Sequence, residues 1–236
     1  MEPETHWADS GGLKIAYQVH GEGAIDLVLV PGFVSHVELL AEDPTTARFL
    51  RRLTAFSRML VFDKRGQGLS DRPDRPPTLE ESMDDLRAVV EAAGLERPAV
   101  FGVSEGGPMS ALYTATYPGD VSALVLFGTF ARMLEAPDFS PGIPAAALDR
   151  WGETVRRDWG GPVRLDLWAP SRIGDAEFER WWARLLRQGT SPAGAIALMD
   201  LYREMDARAV LPAIDACSSA TTPPSATSSL CIAAAR

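Results

Sequence analysis

The sequence predicts an α/β protein built on a mainly parallel central sheet. Three observations carry that expectation. Short apolar runs recur through the first 130 residues, amphipathic helical stretches separate them, and turn residues close each run. Strands alternating with helices make βαβ units, and such units build parallel sheets.

Taken in order, Leu13-Lys14-Ile15-Ala16-Tyr17-Gln18-Val19 alternates its faces as a half-buried strand does. Asp26-Leu27-Val28-Leu29-Val30 is a continuous apolar run stopped by Pro31-Gly32, the pattern of a strand buried on both faces. Met59–Phe62, Ala99–Val103 and Ala123–Phe127 repeat it. The clearest helix runs from about Leu79 to Ala93, where Leu79, Met83, Leu86, Val90 and Ala93 form one apolar stripe. Thr78 and Glu81 make a capping box at its start, and Gly94 ends it. After Gly128, from about Phe130 to Asp206, the patterns are helical and no strand is expected. Five of the six tryptophans fall here: Trp151, Trp159, Trp168, Trp181 and Trp182. They read either as ordinary core aromatics or as the inner face of a lid over the end of the sheet. The expected division is a core over 1–129, a helical cap over 130–206, and a residual core end with a low-complexity tail over 207–236. Residues 217–236 hold eight Ser or Thr and two Pro with no acidic side chain, which reads as disordered or loosely packed.

Composition narrows the functional classes. The chain has 236 residues, 46% hydrophobic and 23% charged, ample for a core that needs neither disulfide nor metal. A net charge of −9 repels phosphate backbones and anionic lipid heads, so neither nucleic acid nor membrane is expected as a partner. No run approaches the ~18 apolar residues of a membrane span. Met1 to His6 has neither a basic region nor an apolar stretch, so no secretory signal is expected and the localisation reads as cytoplasmic. Cys217 and Cys231 lie in the last twenty residues, and His6, His20 and His36 all precede residue 40, so no metal site or cofactor is expected.

The chemistry centres on Gly102-Val103-Ser104-Glu105-Gly106, a Gly-x-Ser-x-Gly sequence after a buried strand and before a helix over about 105–117. A serine on so sharp a turn presents its hydroxyl as a nucleophile, and flanking glycines avoid collisions with nearby backbone. The plainer alternative is a helix N-cap. A serine nucleophile also needs a place for the oxyanion. The N–H of Glu105 is one candidate donor and that of Phe33, after Pro31-Gly32, is the second. The plainer reading of Pro31-Gly32 is a simple chain reversal.

Three segments in this order carry a resemblance: Val30-Pro31-Gly32-Phe33, Phe62-Asp63-Lys64-Arg65-Gly66-Gln67-Gly68-Leu69-Ser70-Asp71, and Gly102-Val103-Ser104-Glu105-Gly106-Gly107. Over about residues 5–214 the chain resembles the α/β-hydrolases. Its wording is especially similar to bacterial hydrolase domains found beside nucleotide-cyclase domains. The resemblance implies an α/β-hydrolase fold, hydrolysis of carboxylic or related esters, a helical cap over 130–206, and a turn-shaping role for the Asp63–Ser70 segment. Members of the family order their triad as Ser, then an acid, then His. Here no histidine follows Ser104, and the tail appears where the resemblance leads toward the strand carrying the acid. The fold is therefore expected to be C-terminally truncated. A reading-frame change near residue 215 is one expected cause, since 217–222 read two nucleotides later in G-ending codons becomes Leu-Val-Gly-Asp-Asp.

His36, three residues beyond Phe33, is the only histidine placed to serve as a base or to touch substrate; a structural role is the alternative. Asp206 and Asp215 read as solvated charges. The expectation is a serine-dependent esterase acting on a small-molecule ester, slow because the usual acid and His are missing. The rival is a catalytically silent hydrolase fold that binds a ligand or partner, and an open sheet edge at the missing strands would favour a homodimer.

Overall fold

The structure, a computed structural model, describes residues 3–214, 216–218 and 230–235. Its strands are β1 (Thr5–Ser10), β2 (Leu13–His20), β3 (Ile25–Val30), β4 (Ser57–Phe62), β5 (Ala99–Val103), β6 (Ala123–Phe127), β7 (Ala216–Ser218) and β8 (Leu230–Ala235). They form one sheet in the order β1-β2-β4-β3-β5-β6-β8-β7. The centre, β4-β3-β5-β6, is parallel, and antiparallel strands flank it on both sides. Each apolar run named above becomes a strand, and β3 shows why. Leu27 to Val30 are all buried, because helices cover both faces of the sheet.

The helices are α1 (Pro44–Thr54), α2 (Leu79–Ala92), α3 (Gly106–Thr116), α4 (Ala145–Asp158), α5 (Leu165–Trp168), α6 (Ala176–Gly189) and α7 (Pro192–Glu204). One sheet face sets Val28, Val30, Leu60 and Val100 against Met83, Leu86 and Val89 of α2 and Met109 and Tyr113 of α3. The other sets Leu27, Leu29, Met59 and Val61 against Leu50 of α1. The two-residue period of the strands sorts these sets. The Thr78–Glu81 capping box forms in full at the start of α2. Asp26 and Arg58, paired in register on β3 and β4, make two hydrogen bonds of 2.8 Å each.

Between Phe130 and Asp206 only helices, turns and isolated bridges occur. Leu148, Trp151, Val155, Leu186, Leu198 and Tyr202 form an apolar cluster of their own. One buried residue of the first 129 joins it, Phe33.

The C-terminal residues depart from the loosely packed tail read from their composition. β8 lies antiparallel to β6, with Val125 opposite Ile232, and β7 lies outside β8. The outer N–H and C=O groups of β6 require partners. Leu230-Cys231-Ile232-Ala233-Ala234-Ala235 is an apolar run that the surrounding Ser and Thr conceal. The low-complexity residues 219–229, and Asp215, lie outside the described residues. Among the described residues no helix is long and apolar enough to cross a membrane.

Candidate active site

β5 ends at Val103 and α3 begins at Gly106, so the chain turns from strand to helix in two residues. Ser104 makes that turn at φ +53°, in the left-handed region. The turn is tied on both sides. The Ser104 N–H donates to the Phe127 carbonyl at 3.0 Å, and its carbonyl accepts from Gly107 N–H at 3.0 Å and from Thr129 Oγ1 at 2.5 Å. Gly106 is required by close approach, since a Cβ there would lie 2.5 Å from the Val30 carbonyl oxygen. A Cβ on Gly102 would lie equally near Ser110 Oγ.

The loop after β3 meets this turn. A Cβ on Gly32 would sit 3.1 Å from Ser104 Cβ and 3.7 Å from its Oγ, so Gly32 places backbone directly beside the hydroxyl. Among the described residues, the N–H groups of Phe33 and Glu105 donate to no protein acceptor. No hydrogen bond joins His36, or any carboxylate, to Ser104 Oγ in the same set. The Phe33 side chain points into the helical cluster. Its ring stacks on Trp168 at 5.6 Å between centroids and contacts Trp151 at 5.3 Å and Tyr202 at 6.4 Å.

The Asp63–Ser70 segment shapes the turn after β4. Asp63 Oδ2 accepts from the N–H groups of Val37 and Leu69, and burial pushes its carboxyl up. Gln67 Oε1 accepts from Ser35 N–H at 2.9 Å, and Ser70 Oγ donates to the Asp63 carbonyl at 2.6 Å. Arg65 reaches α2, with two 2.7 Å bonds to Asp85.

Lys64 is the residue that sequence reasoning missed. Its Nζ donates to the Gly32 carbonyl at 2.6 Å and to Glu105 Oε1. Both side chains are almost wholly buried, which pushes the Lys64 amino group well down and the Glu105 carboxyl well up. The sequence places Glu105 at the site through its backbone N–H. Its side chain turns away from Ser104 and ends on Lys64. The available signal was a lysine and a glutamate each placed where an apolar strand end meets a glycine turn.

His36 is buried on the loop between β3 and α1, and its Nδ1 has no partner among the described residues. His6 lies on β1 beside the Tyr17 ring. His20 ends β2, where burial pushes its imidazole pKa down. Asp206, expected as a solvated charge, is instead ion-paired with Arg132 at 2.9 Å and Arg208 at 2.8 Å, and the Arg208 hydrogen bond leads in holding its carboxyl below the usual range. Two clefts of about 280 and 610 Å³ open between the Arg72–Thr78 loop and α7, and Ser104 lines neither.

Comparison with known proteins agrees with this geometry. A family model described as the alpha/beta hydrolase fold matches residues 27–195. A bifunctional esterase/perhydrolase of Acinetobacter calcoaceticus is 31% identical over 119 residues, 50% of this chain and 43% of that protein. A pimeloyl-[acyl-carrier protein] methyl ester esterase of Neisseria meningitidis is 30% identical over 137 residues, 56% of this chain and 53% of that protein. The chain thus spans about half the length of these curated relatives. Among solved structures, an esterase from Exiguobacterium antarcticum matches with a TM-score of 0.72 at 20% identity, over 89% of this chain and 77% of that one. A bromoperoxidase from Bacillus anthracis matches at 0.73 and 20%, over 90% and 78%. At such identities the structures speak for the fold alone. With its strand order, its strand–serine–helix turn and a family match across most of its length, the chain belongs to the α/β-hydrolase-fold family.

Proposed function

We propose that this chain is a serine hydrolase of small carboxylic esters. One observation carries the reading: Ser104 is held in the left-handed region directly beside two backbone N–H groups, of Phe33 and Glu105, that donate to no protein acceptor. That is the arrangement an acyl transfer requires. Ser104 Oγ attacks the ester carbonyl, and the carbonyl oxygen takes the negative charge between the two N–H groups. The alcohol then leaves as the acyl-enzyme forms, and water releases the acid. Residues 130–206 act as the cap that shapes the acyl side of the site, and the esterase names of two relatives support the same chemistry. No metal or organic cofactor enters this mechanism.

The proton leaving Ser104 needs a base, and His36 is the histidine nearest in sequence to the loop beside the site. Turnover is expected to be slow. In the subtilisin template, an enzyme without its triad retains only about 10³–10⁴ over water, supplied by oxyanion hole and binding. Hydrolysis of p-nitrophenyl acetate by the protein and by Ser104→Ala tests the reading. Loss of turnover in the variant is expected, and equal rates would overturn it. A second reading, a silent fold that binds a ligand, is favoured by the lack of a hydrogen-bonded base at Ser104 Oγ among the described residues. Equal rates would favour it.

A further inference from the structure

We propose that Lys64 is a positioning residue whose single buried Nζ anchors both donors of the oxyanion hole. The inference rests on the assignment of that hole to Phe33 and Glu105. Lys64 stands two residues beyond β4, and its Nζ divides between the Gly32 carbonyl and the Glu105 carboxyl.

The first bond acts through one peptide plane. The Gly32 carbonyl and the Phe33 N–H belong to the same trans peptide, so they point in opposite directions. Holding the oxygen on Lys64 fixes the plane and turns the N–H away from Lys64. Donation to the carbonyl also polarises the amide and strengthens its N–H as a donor. The second bond acts on the other side of the hole. Glu105 supplies its own N–H through the Ser104–Glu105 peptide, and its side chain ends on the same Nζ. Two donors from separate loops, one after β3 and one after β5, thereby share an anchor. Gly106 brings those loops into contact, since there is no room for a Cβ between it and the Val30 and Pro31 carbonyl oxygens.

Lys64 is not placed as the missing base. The Gly32 carbonyl it holds lies opposite the Phe33 N–H on the same peptide, and among the described residues no hydrogen bond links Lys64 to Ser104. Buried ion pairs contribute little net stability, whereas removing one partner leaves a costly lone charge. The test therefore removes both groups together. In the full chain, Lys64→Met/Glu105→Leu is compared with the unaltered protein.

Two quantities are read: ¹⁵N order parameters at the Phe33 and Glu105 amides, and p-nitrophenyl acetate kinetics. In the double variant both amides are expected to loosen from about 0.85 to below about 0.6. The kcat is expected to fall about 10²-fold with KM within about twofold, the mark of a lost transition-state interaction. Amides that keep their order in the double variant overturn the proposal whatever turnover does, as does loss of order with kcat unchanged. Loosened amides in a protein whose unaltered form lacks Ser104-dependent turnover uphold the anchor and overturn the esterase reading instead. Should the double variant not fold, Lys64→Gln/Glu105→Gln reads the same two amides.

Discussion

At the residue scale, the conformation that the proposed role asks of Ser104 opposes stability. A non-glycine residue in the left-handed region costs roughly 1–2 kcal/mol, and no side-chain hydrogen bond of Ser104 offsets it among the described residues. Ser104→Gly is therefore expected to be more stable than Ser104→Ala by about 1 kcal/mol, while both lack the hydroxyl. Urea midpoints of the two variants measure the difference. The residue was legible beforehand because glycines at 102 and 106 mark both flanks of the turn. Lys64 was not legible in the same way. A lysine at the end of a strand reads as a solvated charge until the fold shows that β4, α3 and the loop after β3 converge on its Nζ.

At the scale of elements, β3 and β4 are joined by more than their ladder. Asp26 takes two bonds from Arg58 and a third from the Glu96 N–H, and the Arg58 hydrogen bond leads in holding its carboxyl below the usual range. A carboxylate whose folded pKa is depressed contributes stability above its unfolded pKa, about 3.9, and loses that contribution as pH falls through the folded value. Because Arg58 is 37% exposed, solvent screening holds the contribution to about 1 kcal/mol. Asp26→Asn is expected to lower stability by about that much at pH 7 and by nothing once the pH lies below the folded value. Denaturant titrations at the two pH values check this. The elements themselves were unevenly legible. Buried runs such as Asp26–Val30 declare themselves, and Thr78 with Glu81 announces α2. By contrast β1 carries the largely polar Thr-His-Trp-Ala-Asp-Ser, and α1 buries only Leu50, so neither shows a long apolar stripe. β8 was hidden by the serines and threonines before it.

For the whole molecule, the open question is whether the sheet and the helical half are one cooperative unit. Five of the six tryptophans lie between 151 and 182, whereas every strand of the described residues lies outside 130–206. Tryptophan fluorescence therefore follows the helical half and far-ultraviolet circular dichroism follows both. The ring of Phe33 is enclosed by Trp151, Trp168 and Tyr202 while its backbone continues from β3, so the two melting curves are expected to coincide. A fluorescence transition well below the other would show the halves to be separable. A separate helical stretch rich in tryptophan was legible from composition. That it holds Phe33 was not, because contacts between residues more than a hundred positions apart leave no local pattern.

Phe33 works as an interlock. Its ring is clasped by the helices and its N–H stands beside Ser104, so the two ends of one residue answer to different halves of the molecule. A shift of the helices around the ring would therefore be felt at the N–H beside Ser104. Under the esterase reading proposed above, what occupies the helical cluster and how the N–H beside Ser104 is aimed are tied through one ring.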